Sequence, residues 1–388
     1  MELDSQSKES DIVLFYPAHK DFLKLNVLDG LDGLDFVVFD PRKDVSFNLR
    51  DVIKSILENI KTNPALLFKS FFSVRDAKFF LKKNHAIYIA YQLRKFKPKV
   101  VLTCIDNSPI FHLVCQAYNE IIFIAIQNGG RYIWCADEAL PDPRLKYHIN
   151  EYYCFGPYVE DLFKKYGHKI DRFVTCGSPI GGVFFSEFLS ANETQSEKYD
   201  ICLISQYVHH HRNINSLPRR WRNLPKSIDI FTSLVARYAR ENNSKVCIAL
   251  RSNDVSEQDY YNKYFNGVCC FQKSNRVGFS SYHAVIESRL NISLNSTLGT
   301  EAFGAGLKTL FVNPLSEEWL KPTRKLGVWC IDGTNYDHFS ERTSELLNMN
   351  IKEYLECSLE ERNYSMSYDF DEPLHKRLRA RLLEIVDT

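Results

Sequence analysis

The stretch NISLNSTLGTEAFGAG, residues 291–306, contains the pattern that decides the fold class. Residues 292–294, Ile-Ser-Leu, form a short, mainly apolar segment typical of a buried strand, and residues 298–305 have the periodicity of a helix. Between them, residues 295–297 supply Asn, Ser and Thr, the residue types that begin helices. A strand that passes directly into a helix is the repeating unit of an α/β fold with a parallel sheet.

The same alternation of apolar runs and helical patterns extends along the whole chain. The predicted strands are residues 12–16, 36–39, 100–103, 121–126, 152–155, 173–176, 201–204, 246–250, 268–271, 292–294, 309–312 and 328–331. The predicted helices are residues 49–60, 75–95, 110–118, 158–166, 228–241, 257–265, 282–289, 298–305, 340–347 and 373–386. Because the strands are continuously apolar, they indicate parallel sheets that helices cover on both faces.

A polar segment without periodicity, residues 190–198, predicts a linker near the middle of the chain. We therefore expect an N-terminal Rossmann-like domain over residues 1–190 and a C-terminal Rossmann-like domain over residues 200–370. Residues 371–388 are predicted to form a helix that packs back on the first domain. A chain of 388 residues is long enough for two such cores.

The composition excludes several classes of partner and location. The net charge is +1, from 49 basic and 48 acidic side chains, which does not predict a nucleic-acid partner. The eleven cysteines form no CxxC pair and lie mostly in apolar runs, as expected of free thiols in a reducing compartment. The first ten residues are polar and acidic, and no apolar run approaches about 20 residues, so we expect a cytoplasmic protein.

Residues that follow the strands of the second half are candidates for donor binding, because open α/β sheets bind ligands beyond the carboxyl ends of their strands. These candidates are Ser205, Gln206, Arg251, Asn295, Ser296, Thr297 and Glu301. The backbone N–H groups at a helix N-terminus and an arginine both bind phosphate, and Glu301 is placed to accept hydrogen bonds from sugar hydroxyls. The alternatives are simple N-capping by Ser296 or Thr297 and a surface salt bridge for Arg251.

The first half has its own candidates after two predicted strands. Gln127 and Asn128 precede two glycines in a tight turn, which suits close approach of the backbone to a ligand, and Arg131 follows. Asp106 could act as a general base or nucleophile, and His112 lies on the helix that follows. The alternatives are a turn without function, an N-cap role for Asp106 and a core position for His112.

Several common motifs are missing from the sequence. No GxxxxGK[ST] motif is present, no GxGxxG follows the first strand, and no DxD pair follows a strand. A P-loop kinase, a dinucleotide enzyme and a metal-dependent transferase are therefore disfavoured, and we expect neither a metal nor a cofactor. The run His209, His210 and His211 does not have the spacing of metal ligands.

A basic and aromatic stretch lies in the first half. It contains Phe68, Phe71, Phe72, Phe79 and Phe80 among Lys69, Arg75, Lys78, Lys82 and Lys83. One interpretation is peripheral contact with lipid headgroups of the inner membrane. The other is an amphipathic core helix with solvated lysines.

Five short motifs, at residues 126–129, 153–156, 177–179, 250–252 and 293–302, resemble those of bacterial surface-carbohydrate biosynthesis proteins of GT-B type. The resemblance extends over most of the chain in the same order. It is greatest to lipopolysaccharide and capsule transferases, including the retaining Kdo transferase modules that use CMP-Kdo. It implies an α/β fold of two Rossmann-like domains whose parallel sheets face an interdomain cleft.

The resemblance also implies a function. The chain would be a metal-independent glycosyltransferase that moves a sugar from a nucleotide-sugar donor to a glycan or lipid-linked glycan acceptor in O-antigen or capsule biosynthesis. Arg251 and residues 295–301 would bind the donor, whereas Asp106, Gln127 and Arg131 would face the reaction centre. The sequence departs from Kdo-type transferases in having Arg251 and Ser252 where a His-Pro pair is common. The alternatives are a nucleotide-sugar epimerase of the same fold and a non-catalytic glycan-binding assembly protein.

Overall fold

The computed structural model describes residues 9–29, 34–131, 146–190, 197–207, 221–275, 279–321, 323 and 325–387. The chain divides into two compact units. The first comprises Met1–Cys154, Val159–Pro179 and Glu372–Thr388, and the second comprises Phe155–Tyr158 and Ile180–Asp371. The central six residues of the predicted linker, 191–196, and His209–His211 lie outside the described residues.

Each unit is built on a six-stranded parallel sheet. The strands of the first are β1 Ile12–Phe15, β2 Phe36–Phe39, β3 Val100–Thr103, β4 Ile122–Ile126, β5 His148–Cys154 and β6 Lys169–Thr175, in the order β2-β1-β3-β4-β5-β6. The strands of the second are β7 Tyr199–Ile204, β8 Val246–Ala249, β9 Cys269–Gln272, β10 Ser288–Ser293, β11 Thr309–Asn313 and β12 Cys330–Asp332, in the order β12-β11-β10-β7-β8-β9.

α-Helices lie between consecutive strands in nine of the eleven connections, the exceptions among the described residues being β4 to β5 and β11 to β12. The helices are α1 Lys20–Leu23, α2 Leu49–Thr62, α3 Pro64–Ser70, α4 Val74–Arg94, α5 Pro109–Ala117, α6 Pro157–Lys165, α7 Pro179–Ser190, α8 Leu224–Glu241, α9 Val255–Phe265, α10 Ser280–Ile286, α11 Thr297–Gly304, α12 Tyr336–Asn348, α13 Ile351–Ser365 and α14 Leu374–Asp387. A π-helical turn, Lys24–Leu28, follows α1. None of the described helices combines the length and the apolar character that a membrane crossing needs.

Both faces of each sheet are buried. In β7, Ile201 and Leu203 pack into one apolar cluster, whereas Cys202 and Ile204 pack into another. Because successive side chains of a strand point to opposite faces, this alternation places a core on each side of the second sheet. In the first unit, Leu378 and its neighbours on α14 pack against the residues of β1, β3 and β4.

All twelve predicted strands are present, so the predicted α/β class with two parallel sheets is confirmed. Strand β5 begins at His148 and β6 at Lys169, earlier than predicted, because their first residues are polar. The predicted helix 282–289 was wrong at its end: α10 stops at Ile286, and Ser288 already belongs to β10. Helices α3, α7 and α13 were not predicted, since their apolar residues recur without a clear helical period.

Candidate functional site

The carboxyl ends of β7 and β10 meet in the middle of the second sheet, where the strand order reverses. The side-chain amide of Gln206, just after β7, donates to Asn295 Oδ1 at 2.7 Å. The backbone N–H of Asn295, just after β10, donates to Gln206 Oε1 at 3.1 Å. This reciprocal pair joins two of the predicted donor-binding residues at the switch point, the usual ligand position in open α/β sheets.

Helix α11 begins beside this pair without a side-chain cap. Ser296 is the N-cap residue, but its side chain accepts no hydrogen bond from the helix, and its own N–H donates to Ser293 Oγ at 3.2 Å. The predicted alternative of simple capping by Ser296 is therefore not what this segment shows. The N–H groups of Thr297, Leu298 and Gly299 precede the first hydrogen bond of the helix, from Thr300 to the Ser296 carbonyl, and such free N–H groups can bind an anion.

Gly299 allows α11 to lie close to the sheet. A Cβ atom at this position would stand 2.7 Å from Ser293 Oγ and 2.8 Å from Ser293 Cβ, closer than any real side chain approaches. Only glycine therefore permits this approach of helix to strand. The close contact with Ser293 therefore explains why a glycine stands at position 299, two residues after the Asn-Ser-Thr turn.

Glu257, on α9, connects the ends of β7 and β8. Its carboxylate is fully buried and accepts hydrogen bonds from the N–H of Arg251, from the N–H and hydroxyl of Ser252, each at 2.9 Å, and from the hydroxyl of Ser205. Tyr261 donates to the same Ser205 hydroxyl at 2.9 Å. Four donors match the four lone-pair positions of an ionised carboxylate, so Glu257 fixes both strand-end loops.

Sequence reasoning missed Glu257 because an acidic residue in the first turn of a helix usually interacts with the helix dipole. Nothing local to residues 254–261 distinguishes it from a surface carboxylate. Its donors lie on a loop five or six residues earlier and on a strand end 52 residues earlier.

The remaining donor candidates differ in their surroundings. The side chain of Arg251 is exposed, and the described residues provide no acidic partner for its guanidinium, so the alternative of a surface salt bridge is not found there. Glu301 is buried on α11 and accepts a hydrogen bond from the hydroxyl of Tyr282 at 2.8 Å. The structure thus brings Ser205, Gln206, Arg251 and Asn295 together, whereas Glu301 lies further along the helix. Their role in binding stays a prediction.

In the first unit, Asp106 forms a buried ion pair with Arg131. Arg131 Nε donates to Asp106 Oδ2 at 2.8 Å, and Arg131 Nη2 donates to Oδ1. The hydroxyl of Tyr152 donates to Oδ2, and the N–H of Asn128 donates to Oδ1 at 3.2 Å. Burial is the main cause that raises the pKa of Tyr152 well above its ordinary value, so the phenol keeps its proton and remains a donor.

The ion pair organises the turn that follows β4. Arg131 Nη1 donates to the carbonyl oxygens of Gly129 and Gly130 at 3.2 and 3.1 Å, and Nη2 donates to Asn128 Oδ1 at 3.1 Å. The buried side-chain amide of Gln127 donates to the Gly129 carbonyl at 2.8 Å. Asn128 is exposed, whereas the other side chains of this cluster are buried.

These contacts give Asp106 a role that neither interpretation of the sequence included. All four lone-pair positions of the carboxylate accept hydrogen bonds. Asp106 is therefore better suited to hold the turn in place than to accept a proton. It is not the N-cap of α5 either, because Ser108 Oγ accepts the hydrogen bond from the N–H of Phe111 at 3.4 Å. The catalytic roles of Asp106 and Arg131 stay predictions.

His112 has the environment of a core histidine. Its ring is fully buried on α5, stacks on Tyr147 with ring centroids 3.9 Å apart, and places Nε2 2.7 Å from the backbone oxygen of Asp106. Burial lowers the pKa of His112 to about 3. At neutral pH the imidazole therefore has no extra proton to donate, which favours the alternative interpretation over a role in proton transfer.

A cavity of about 340 Å³ opens at the carboxyl ends of β1 and β3, the switch point of the first sheet. Its lining includes Tyr16, Arg42, Lys82, His85, Ser108 and Leu113. Tyr16 and Ser108 place their hydroxyl oxygens 3.2 Å apart, and the guanidinium of Arg42 lies 5.3 Å from the centroid of the Tyr16 ring. The cavity combines an apolar wall with basic groups.

The loop that leaves β1 has an unusual backbone. Tyr16 and His19 have φ angles of 72° and 58°, in the left-handed region that residues other than glycine seldom adopt. Such conformations are uncommon and are enriched at functional sites. Sequence reasoning missed both residues, since the segment after the first strand served only to exclude a dinucleotide motif.

The chain has two parallel Rossmann-like sheets, and polar loops follow the strands at the switch point of each. This arrangement defines an α/β protein of GT-B-like fold. Residues 124–353 match a family model described as "putative O-antigen biosynthesis protein". Since the match covers more than half of the chain, the chain belongs to this family. The predicted relation to surface-polysaccharide biosynthesis is thus supported at the level of the family, and the relation to Kdo transferases stays a prediction.

Solved structures with the same fold include two that are described as UDP-N-acetylglucosamine 2-epimerases. The UDP-GlcNAc 2-epimerase from Neisseria meningitidis, bound to UDP-GlcNAc, is 12% identical with a TM-score of 0.54, over 97% of this chain and 99% of that one. A putative UDP-N-acetylglucosamine 2-epimerase from Listeria monocytogenes is 10% identical with a TM-score of 0.55, over 98% and 96%. S. aureus MnaA in complex with UDP is 13% identical with a TM-score of 0.53, over 94% of each chain. No curated protein sequence matches the chain significantly.

Proposed function

We propose that the chain is a metal-independent glycosyltransferase that moves a sugar from a nucleotide-sugar donor to a glycan acceptor in bacterial surface-polysaccharide biosynthesis. The observation that carries the proposal is the group of strand-end residues at the switch point of the second sheet. There hydrogen bonds hold the Gln206–Asn295 pair and the backbone N–H of Arg251. The uncapped N-terminus of α11 begins beside the pair, and the side chain of Arg251 is exposed. Backbone N–H groups and a guanidinium are the groups that bind phosphate oxygens.

In the proposed reaction, the bond between the anomeric carbon and the leaving phosphate oxygen breaks, and its electron pair stays on the phosphate. The acceptor hydroxyl oxygen forms the new bond to the anomeric carbon, and its proton passes to a base. Arg251 and the first turn of α11 stabilise the negative charge that develops on the phosphate, which is the task a metal ion performs elsewhere. Glu301, held by Tyr282, accepts a hydrogen bond from a sugar hydroxyl of the donor.

The acceptor candidates Gln127 and Asn128 lie in the first unit. Asp106 and Arg131 hold the turn after β4 in shape, and the exposed side chain of Asn128 contacts the acceptor.

The donor nucleotide is identified by a thermal-shift screen with CMP, UDP, GDP and CDP. The resemblance to Kdo transferases favours CMP-Kdo, and the UDP-GlcNAc ligand of the Neisseria structure favours a UDP-linked sugar. A nucleotide present at about 100 times its Kd stabilises the native state by about 2.7 kcal/mol, so one of the four should raise the Tm by several degrees. No shift with any of them would contradict nucleotide binding.

The placement of the phosphate is tested with Arg251→Ala and calorimetry on the nucleotide that binds. Loss of a charge-assisted contact of about 1.5–3 kcal/mol weakens affinity about tenfold or more, with little change in Tm because the side chain is exposed. Lys245→Ala is the matched control, since Lys245 is exposed and directly precedes the same strand, at its opposite end. Equal affinity in wild type and Arg251→Ala would remove Arg251 from the site.

A nucleotide-sugar epimerase is the second candidate, because the Neisseria and Listeria structures of the same fold, both described as 2-epimerases, cover nearly the whole chain. The two functions differ in their need for an acceptor. An epimerised nucleotide sugar, formed from the donor alone, would establish the epimerase. Release of nucleotide that depends on a glycan acceptor supports the transferase, and nucleotide binding without either product would indicate a binding protein.

A further inference from the structure

Helix α2 of the first unit is packed with its polar side inward. Its apolar residues recur at helical spacing, but Leu49, Ile53 and Leu57 are 61%, 49% and 60% exposed. Its fully buried residues are instead Ser55 and Asn59. An amphipathic helix of a water-facing surface normally has the opposite orientation.

Polar contacts to α4 explain how this orientation is held. Asn59 Nδ2 donates to the backbone oxygen of Phe80 at 3.0 Å, and the hydroxyl of Tyr91 donates to Glu58 at 2.6 Å. Asp51 forms an ion pair with Lys95 at 3.2 Å. The apolar stripe of α2 is therefore directed outward by specific bonds.

The exposed apolar surface continues on α3 and α4. Phe68, Phe71 and Phe72 are 66%, 74% and 77% exposed, and the rings of Phe68 and Phe72 lie 5.2 Å apart. Val74 and Leu81 on α4 are 74% and 63% exposed. Of the seventeen large apolar side chains that are exposed among the described residues, ten fall between residues 47 and 81. The interpretation of this stretch as a core helix holds for the buried Phe79 and fails for these residues.

The same segment is strongly basic. Residues 49–85 contain eight lysines and arginines and three acidic residues, a local charge of +5 in a chain whose net charge is +1. Two of the acidic residues, Asp51 and Glu58, already have the partners named above. On α2, Arg50, Lys54 and Lys61 share a helical face that borders the apolar stripe, an arrangement found in helices that lie in a membrane interface.

We propose that the surface formed by α2, α3 and α4, here called the α2–α4 surface, docks the protein on an anionic phospholipid bilayer. The aromatic side chains enter the boundary between headgroups and acyl chains, and the basic side chains contact lipid phosphates. A second copy of the chain fits this surface less well, because pairing two copies would place two charges of +5 against each other. The proposal does not depend on the transferase reaction.

The test is vesicle flotation of the full chain with two kinds of vesicle, pure phosphatidylcholine and phosphatidylcholine containing about one-third phosphatidylglycerol. We expect binding to the anionic vesicles that weakens as salt is raised. The double variant Phe71→Ser/Phe72→Ser and the double variant Lys69→Glu/Lys78→Glu should each lower the partition coefficient about tenfold or more. All four side chains are exposed, so the Tm should change little.

The control variants carry corresponding changes, apolar residue to Ser and Lys to Glu, at exposed positions outside the α2–α4 surface. Ile351→Ser/Leu359→Ser on α13 and Lys245→Glu/Lys263→Glu in the second unit should bind vesicles like the wild type. The proposal is overturned by absence of binding to anionic vesicles, or by equal losses in the controls. It is also overturned if sedimentation shows a dimer that Phe71→Ser/Phe72→Ser dissociates while vesicles bind no protein.

Discussion

Replacing Asp106 by Asn tests whether this residue positions the turn after β4 or takes part in proton transfer. The carboxylate accepts from Arg131, Tyr152 and the N–H of Asn128 through both of its oxygens. An Asn side chain has only one oxygen, and its NH2 group faces the two donors that the second carboxylate oxygen had accepted from. Two donors therefore lose their acceptor, and the guanidinium of Arg131 remains buried without a counter-charge.

The expected effect is large. Removing one partner of a buried ion pair costs about 3–5 kcal/mol. For a unit of about 190 residues, 1 kcal/mol corresponds to about 2–4 °C, so Asp106→Asn should lower the melting temperature of the first unit by about 6–20 °C. Removing both charges, in Asp106→Leu/Arg131→Met, should recover much of this loss, because no buried charge remains unpaired.

Differential scanning calorimetry measures these shifts, with Asp171→Asn as the control. Asp171 is exposed on β6 of the same unit, and its replacement should change stability by less than about 0.5 kcal/mol. The reasoning is refuted if Asp106→Asn melts within about 2 °C of the wild type while the turnover of an established reaction falls by orders of magnitude. That result would assign the carboxylate to the chemistry.

Glu257→Gln should lower the Tm of the second unit and weaken nucleotide affinity, because two of the four donors lose an acceptor at about 1.5–3 kcal/mol each. Calorimetry measures both quantities, and Glu341→Gln, at an exposed position of the same unit, should change neither. The pKa of His112 is lowered to about 3, so acid should destabilise the wild type between pH 6.5 and 3, since the unfolded chain takes up a proton that the folded core excludes. Denaturation at several pH values measures how the free energy of unfolding falls with pH. In this range the wild type should lose up to about 1.4 kcal/mol per pH unit more than His112→Phe, and equal pH slopes for the two proteins would contradict this. Gly299→Ala should lower the free energy of unfolding, measured in urea, by about 1–3 kcal/mol, because the new methyl group meets Ser293. Adding Ser293→Gly to this variant should restore part of the loss. A fully stable Gly299→Ala variant would show that α11 can move away from β10.

The sequence by itself determined the secondary structure of both sheets. The twelve strands could be predicted because continuous apolar runs, bounded by turn residues, are local features of the chain. Local sequence also placed the donor candidates after β7, β8 and β10, where a parallel sheet presents its loops. The order of the strands was not predicted, since short runs of Val, Ile and Phe pair equally well with several neighbours.

Only the tertiary structure decided which polar groups meet. Asp106 lies 25 residues from Arg131 and 46 from Tyr152, and Glu257 lies 52 from Ser205, so no local pattern distinguishes these carboxylates from an N-cap or a surface acid. Helix α2 is the clearest case. Its apolar period predicted a helix, but the side that is buried was decided by hydrogen bonds to α4, because a helical period fixes which residues share a face and not which face finds a partner.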